Sequence, residues 1–354
     1  MPAVPPPAIV LVTGASGFLG AHVCRTFLAR GYQVRGTVRS PPKGDYLRNL
    51  FEAEFPGAFT YVIVKDISEP GAFDEAVKGV DAIAHTASPL ELVSDDTDPD
   101  VLIKPAVGGT IGVLKSAKEH GPTVRRIIVT SSVSALDEPR DPPYEYTTAN
   151  WNTKSIEEVR TKGKGANAYL KYCASKTLAE KALWDFIEEN KGSINFDGVA
   201  TNTPWLYGPI IHEVASFDKI NHSTTRVWKM LSDPLPANEE ELADWAGDHL
   251  DVRDLATATV DGIAREELGG RRLLMACGPV TRQDFLDVAH ILEPAIPKLP
   301  FEVPRGKPGY GDSRRNRFFT FSSEETRKLL GYDFRKLSEQ VKDTLLSINE
   351  RGFY

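Results

Sequence analysis

Cysteine is scarce in this chain, and the three present, Cys24, Cys173 and Cys277, are scattered. Isolated thiols without paired spacing exclude a disulfide framework and a cysteine-based metal site, so a reducing compartment, the cytoplasm, and no metal are expected. An excess of basic charge is also missing. Lysine and arginine total 42 against 49 aspartates and glutamates, a net charge of −7. A nucleic-acid partner calls for a basic field, which this balance does not supply. No apolar run is long enough to span a bilayer, and IVLVT near the start is too short for a signal-peptide core and has no basic flank. Repeats and low-complexity segments are absent, and the opening MPAVPPPA reads as an extended tail. What is there is an ordinary globular composition, 41% hydrophobic and 26% charged over 354 residues, enough for about two structural units.

The first two hundred residues alternate short apolar runs with helical patterns. AIVLVT, QVRGTV, FTYVIV, DAIAHTA, RRIIVTSS and FDGVATN are expected strands. FLGAHVCRTFLARG, EPGAFDEAVKGV, DVLIKPAVGGTIGVLKSAKEHG and NAYLKYCASKTLAEK are expected helices. Uninterrupted apolar strands separated by helices predict a parallel sheet covered on both faces, and right-handed crossovers make it doubly wound. The expected fold is therefore α/β, a Rossmann-type sheet with a smaller C-terminal lobe. Residues 1–203 form the dinucleotide-binding domain, with 248–277 returning to it as LDVRDLATATVDGI and RRLLMAC. Residues 204–247 and 278–354 form the lobe, which would hold the substrate.

After the first strand comes TGASGFLG, a G-x-x-G-x-x-G between strand and helix. Gly14 permits the tight turn, Gly17 lets the backbone approach a pyrophosphate, and Gly20 allows close helix–strand packing. Ser16, Phe18 and Leu19 complete the expected cofactor loop, whose helix N-terminus supplies free N–H groups to an anion. An acid at the tip of the second strand would hold a ribose hydroxyl, but VRGTVRSPPKGD has none there. It offers Arg35, Arg39 and Lys43 instead, and a guanidinium at the tip suits a 2′-phosphate, which favours NADPH over NADH. Arg39 ends the strand and is the first choice; Arg35 is equally readable as a solvated side chain. Asp66, with Ile67 beside it, ends the third strand, where its carboxylate either meets the adenine amino group or closes a turn.

Tyr172 and Lys176 stand at i and i+4 on an expected helix, so both reach a common point on one face. The fifth strand ends in the hydroxyls of Thr130, Ser131, Ser132 and Ser134, at the carboxyl edge of the sheet where ligands bind. A dinucleotide loop, a strand-end hydroxyl and a Tyr–Lys helix follow one another in that order. With VTGASGFLGAHV, GTVRS, DAIAHTASP, KPAVGGT, VTSSVSAL, NWN, YCASK and LDVRDLA, the chain resembles the extended short-chain dehydrogenase/reductases along nearly its whole length. Within them it is similar to the dihydroflavonol-reductase-like branch, and to the fungal NADPH-dependent aldehyde and ketone reductases.

The resemblance implies a Ser132–Tyr172–Lys176 site that reduces an aldehyde or ketone to an alcohol with NADPH. A free phenol, with a pKa of about 10, is a poor acid–base group at neutral pH. The Lys176 ammonium and an oxidised nicotinamide would both favour the phenolate. Tyr172 would give the carbonyl oxygen its proton, Ser132 would orient that oxygen, and Lys176 would also bind the nicotinamide ribose. Thr86 and Ala87 carry over as contacts to the adenine ribose and pyrophosphate, and Pro204 and Leu206 as contacts near the nicotinamide. Thr203 departs from the family pattern, in which a second proline stands there. Leu90, Ser134, Trp205, Phe217 and Trp228 are expected to line the substrate pocket, or equally to be core residues. Tyr169 has Cys173 at i+4 and is expected to pack or to line the pocket.

Two other readings share these residues. A nucleotide-sugar epimerase or dehydratase has the same fold and triad, but it grips its diphosphate with an arginine that TNTPWLYGP lacks. That favours a small hydrophobic carbonyl, such as an aliphatic or aromatic aldehyde, a dicarbonyl, a keto ester or an aryl ketone. A non-catalytic NADP-sensing regulator would typically have lost the Tyr–Lys pair. The chain is expected to work as a monomer or homodimer, without nucleic-acid or membrane partners.

Overall fold

The computed structural model describes residues 3–88, 94–292, 296 and 298–353. Its strands, in chain order, are β1 (Ile9–Thr13), β2 (Gln33–Val38), β3 (Phe59–Ile63), β4 (Ala82–His85), β5 (Arg126–Thr130), β6 (Tyr144–Tyr146), β7 (Asp197–Asn202), β8 (Trp205–Tyr207), β9 (Trp245–Asp251), β10 (Arg272–Leu274), β11 (Pro279–Thr281) and β12 (Phe319–Phe321). Its α-helices are α1 (Phe18–Ala29), α2 (Pro41–Glu52), α3 (Asp100–His120), α4 (Thr153–Lys162), α5 (Ala168–Glu189), α6 (His222–Ser232), α7 (Val252–Ala264), α8 (Arg282–Leu292), α9 (Glu324–Leu330) and α10 (Leu337–Glu350). The chain divides into two compact units. One comprises Met1–Pro139, Thr148–Asn202 and Ala256–Leu273; the other comprises Arg140–Thr147, Thr203–Leu255 and Leu274–Tyr354.

The first unit is built on a seven-stranded sheet in the order β10-β7-β5-β4-β1-β2-β3. Every neighbouring pair from β3 through β7 is parallel. The order reverses direction at β1, so the ends of β1 and β4 flank the switch point at which open sheets bind ligands. The strands are apolar along their length because helices cover both faces. Leu11, Ile83, Ile127, Val129 and Ala200 pack with Val113, Leu114 and Leu183 into one buried cluster. Arg126, fully buried, anchors the far end of this sheet. Its Nε and Nη2 meet the two Asp197 oxygens at 2.7 and 2.8 Å, and its Nη1 meets the Gly262 carbonyl at 3.1 Å.

Two local expectations change. EPGAFDEAVKGV forms successive turns and no helix. Pro70 has no N–H to donate, and Gly71 and Gly79 take φ of +76° and +70°, which a helix cannot accommodate. Arg35 meets the carbonyls of Ala76 and Lys78 at 2.9 and 2.6 Å, so it closes these turns and faces away from a cofactor role. The stretch after β2 is a helix, because Ser40 takes the extended N-cap conformation and prolines suit the first turn.

In the second unit β9 pairs antiparallel with β11 and parallel with β8, and β12 lies parallel to β6. Its core joins Tyr207, Val227, Leu231, Phe285, Leu286, Val341 and Leu345.

Candidate active site

The loop from β1 to α1 has the backbone that its glycines were expected to provide. Gly14 sits at φ +66°, and a Cβ there would meet Ala87 Cα at 3.0 Å. A Cβ on Gly20 would lie 2.2 Å from the Gly14 carbonyl oxygen, so helix and loop touch backbone to backbone. The Gly17 N–H donates to the Gly14 oxygen at 2.9 Å, and Gly17 caps α1 without any side-chain acceptor. No acid occupies the first turn of α1, and a helix N-terminus favours an anion. Ser16, Phe18 and Leu19 are half-buried along this turn, and the Phe18 ring sits edge-on to His22.

The segment after β4 is tied to this loop. Thr86 Oγ1 donates to the Thr13 carbonyl at 2.6 Å, and the Ala87 N–H donates to Thr13 Oγ1 at 3.1 Å. His85 Nδ1 is 2.9 Å from the same hydroxyl. Burial, then the charge of Lys176, pulls His85 down to about 4, so it is a neutral structural histidine.

At the tip of β2 the Arg39 side chain is exposed, and its charge acts on the carboxyl of Asp66. Lys43 lies in the first turn of α2. Asp66 Oδ1 accepts from the Ser68 N–H at 2.8 Å and the Ser68 hydroxyl at 2.6 Å, the turn alternative of the sequence reading. Those bonds hold its carboxyl below the usual range. Ile67 packs on α3, where its Cδ1 would be 2.9 Å from a Cβ at Gly109.

Ser132, Tyr172 and Lys176 converge in the first unit. Ser132 follows β5 in an extended conformation, and its Oγ accepts the Ser134 N–H at 3.1 Å. Its hydroxyl lies near the phenol of Tyr172, which comes from α5, and favours the ionised form. That helix begins at Asn167, whose side chain accepts the Tyr169 N–H at 2.8 Å. Burial pushes the Tyr172 phenol up to about 12, and the Ser132 hydroxyl is the main influence in the opposite direction. Burial thus penalises the phenolate, and the charges of Lys176 and an oxidised nicotinamide would act against that penalty. Lys176 Nζ is 5.5 Å from the Tyr172 ring centre and donates to Ser88 Oγ at 2.8 Å. Burial pulls it down to about 8.

Ser134 is buried near Cys173, whose thiol burial pushes up to about 12. Tyr169 donates to Asp137 Oδ2 at 2.5 Å. Thr130 closes β5, paired with Thr201. Leu90 lies outside the described residues. Pro204, Trp205, Leu206, Phe217 and Trp228 belong to the second unit. There Leu206 pairs with Leu250, and the Arg226 guanidinium lies 4.7 Å from the centre of the Trp205 ring. Trp228 makes edge contacts with Phe217 and Phe301, at 4.9 and 5.1 Å between ring centres, so these aromatics pack within that unit.

Sequence reasoning passed over the groups that hold the β5 tip. Asn152 Nδ2 donates to the Ser134 and Asp137 carbonyls at 3.2 and 2.6 Å, which pins the short turn after Ser132. Glu180 and Arg272 form a buried ion pair at 2.6 Å. Glu180 was visible as an acid two turns beyond Tyr172, but its partner is 92 residues away in sequence.

The model of the NAD dependent epimerase/dehydratase family matches residues 10–271. The NADPH-dependent methylglyoxal reductase of Saccharomyces cerevisiae is 33% identical, over 96% of this chain and 97% of its own. A ketoreductase of Aspergillus niger is 32% identical over 97% of each. The crystal structure of the yeast methylglyoxal/isovaleraldehyde reductase complexed with NADPH superposes with a TM-score of 0.84 at 31% identity, covering 98% of this chain and 100% of that one.

Proposed function

The chain belongs to the NAD dependent epimerase/dehydratase family, within the extended short-chain dehydrogenase/reductases, and on that premise we propose that it reduces aldehydes or ketones to alcohols with NADPH. The observation that carries the reading is the convergence of three groups: Lys176 Nζ lies 5.5 Å from the Tyr172 ring centre, and the Ser132 hydroxyl is near enough to the phenol to favour its ionised form. The glycine loop fits the cofactor: Gly14 and Gly20 leave no room for side chains, and the N-terminus of α1 has no side-chain cap. Arg39, exposed at the β2 tip, would take the 2′-phosphate with Lys43, while Thr86 and Ala87 border the loop.

NADPH, when bound, supplies the hydride. Tyr172, with a phenol pushed up to about 12, stays protonated at neutral pH and is in the correct form to give its proton to the carbonyl oxygen. Ser132 has its Oγ occupied as acceptor by the Ser134 N–H, which leaves its own proton for the phenol or the substrate oxygen. The two donors thus stabilise charge growing on one oxygen. Lys176, at about 8, is mostly an ammonium at pH 7, which favours phenolate formation and suits a ribose hydroxyl.

A small apolar carbonyl, such as a dicarbonyl, a keto ester or an aryl ketone, is favoured as substrate by the absence of arginine from TNTPWLYGP. The cytoplasm is favoured by three free cysteines. The test is the loss of nicotinamide absorbance with NADPH and, separately, NADH over a panel of these carbonyls. Tyr172→Phe is expected to lower kcat at least about a hundredfold. Full activity in that variant, or no turnover by the wild type, would overturn the reading.

A further inference from the structure

Behind the Ser132–Tyr172 pair lies a polar network that no step of the reaction consumes. The Glu180 side chain is fully buried on α5, two turns beyond Tyr172. Its Oε2 accepts from Ser131 Oγ at 2.5 Å and from Asn202 Nδ2 at 2.6 Å. Its Oε1 accepts from Arg272 Nε at 2.6 Å and from Trp184 Nε1 at 3.4 Å. Asn202 also donates to the Ser132 carbonyl at 3.2 Å. Arg272 is held in turn: its Nη1 donates to the Thr148 and Asn150 carbonyls at 2.6 and 2.7 Å, and its guanidinium stacks 3.7 Å from the centre of the Trp151 ring.

A buried ion pair is a weak source of stability, because desolvation offsets the attraction and an apolar pair of like volume often serves as well. Its directional bonds do something else. They tie α5, which carries Tyr172 and Lys176, to the residues on either side of the β5 end, which carries Ser132. Ser131 precedes Ser132 directly, and Asn202 ends the neighbouring strand β7. We propose that Glu180, oriented by Arg272, is a positioning residue that sets the distance between Ser132 and Tyr172 through Ser131 and Asn202. The inference rests on the catalytic reading of Ser132 and Tyr172 given above.

Ser131→Ala and the double variant Glu180→Met/Arg272→Met test it. The second removes both charges together and leaves no unpaired ion. Each is compared with the wild type in kcat, in KM for NADPH, and in the pH profile of alcohol oxidation, where the phenolate is the reactive form. Ser131→Thr, which keeps the hydroxyl, is the conservative control. Both disrupting variants are expected to lose between about ten- and a hundredfold in kcat with KM for NADPH unchanged. Their kinetic pKa shifts upward, because a displaced Ser132 donates less to the phenolate, and Ser131→Thr restores most of the rate. If the double variant does not fold, Ser131→Ala decides. Wild-type kcat and pH profile in Ser131→Ala would overturn the inference, as would equal losses in Ser131→Ala and Ser131→Thr. A wild type that Tyr172→Phe silences but Ser131→Ala leaves untouched would refute this inference alone. A wild type without turnover would remove the catalytic reading, and this inference with it.

Discussion

His85 shows how far one buried side chain departs from its behaviour in water. It is held between the Thr13 hydroxyl and the edge of Phe73, whose ring centre is 6.0 Å away. The unfolded residue takes its proton near pH 6.5 and the folded one near 4. Between those values the unfolded chain binds more protons, so stability falls as pH falls through this window and is untouched above it. From pH 7 to pH 5 this one group is expected to cost about 2 kcal/mol. Urea unfolding of the wild type and of His85→Gln at both pH values measures it, and an equal loss in the two proteins would show that other groups carry the acid sensitivity. The same reasoning separates Lys176 from Tyr172. Burial lowers the ammonium and raises the phenol, because in each case it disfavours the charged form.

Among the elements, the β1–α1 loop is the most constrained. Gly20 tolerates no Cβ because the obstacle is the Gly14 carbonyl oxygen, a backbone atom that cannot rotate away. Alanine at this helical position would normally gain close to 1 kcal/mol in propensity. Here Gly20→Ala is expected to destabilise by about 3 kcal/mol and to weaken NADPH binding, since α1 must move off the loop. Chemical denaturation and cofactor titration check this, and a variant of unchanged stability would contradict the contact. The turns from Pro70 to Gly79 illustrate the opposite case. Their apolar spacing suits a helix, and Phe73, Ala76 and Val77 are buried as a helix face would be. Glycine φ values above zero at both ends nevertheless give turns that bury the same side chains. Helix α2 was hidden for a related reason. Its first residues, Pro-Pro-Lys-Gly-Asp, have a loop composition, yet Gly44 is needed where the Tyr61 ring would come within 2.6 Å of a Cβ.

At the scale of the whole molecule, a ligand held only by the native state raises its stability by mass action. NADPH at a hundred times its Kd is expected to contribute about 2.7 kcal/mol and to raise Tm by roughly 5 °C. NADH is expected to raise it less, and Arg39→Ser to bring the two cofactors level; equal shifts in the wild type would remove Arg39 from the 2′-phosphate. The parallel strands β1 to β5 and β7, the glycine loop and the Tyr172–Lys176 spacing were legible in the linear chain. Each depends on short-range rules, a period of two or 3.6 residues or a turn that only glycine makes. Pairings between distant segments were not legible. The Arg140–Thr147 segment joins the second unit through the pairing of β6 with β12, 175 positions apart in the register Phe319 to Tyr144. Glu180 finds Arg272, and Arg126 meets Asp197, across gaps of 92 and 71 residues. Residue type and local spacing therefore determined the fold class and the chemistry at hand. The direction of the Tyr172 shift and the partners of Ser131, Glu180 and Asn202 were decided by tertiary packing, because burial and long-range hydrogen bonds exist only once distant segments share one interior.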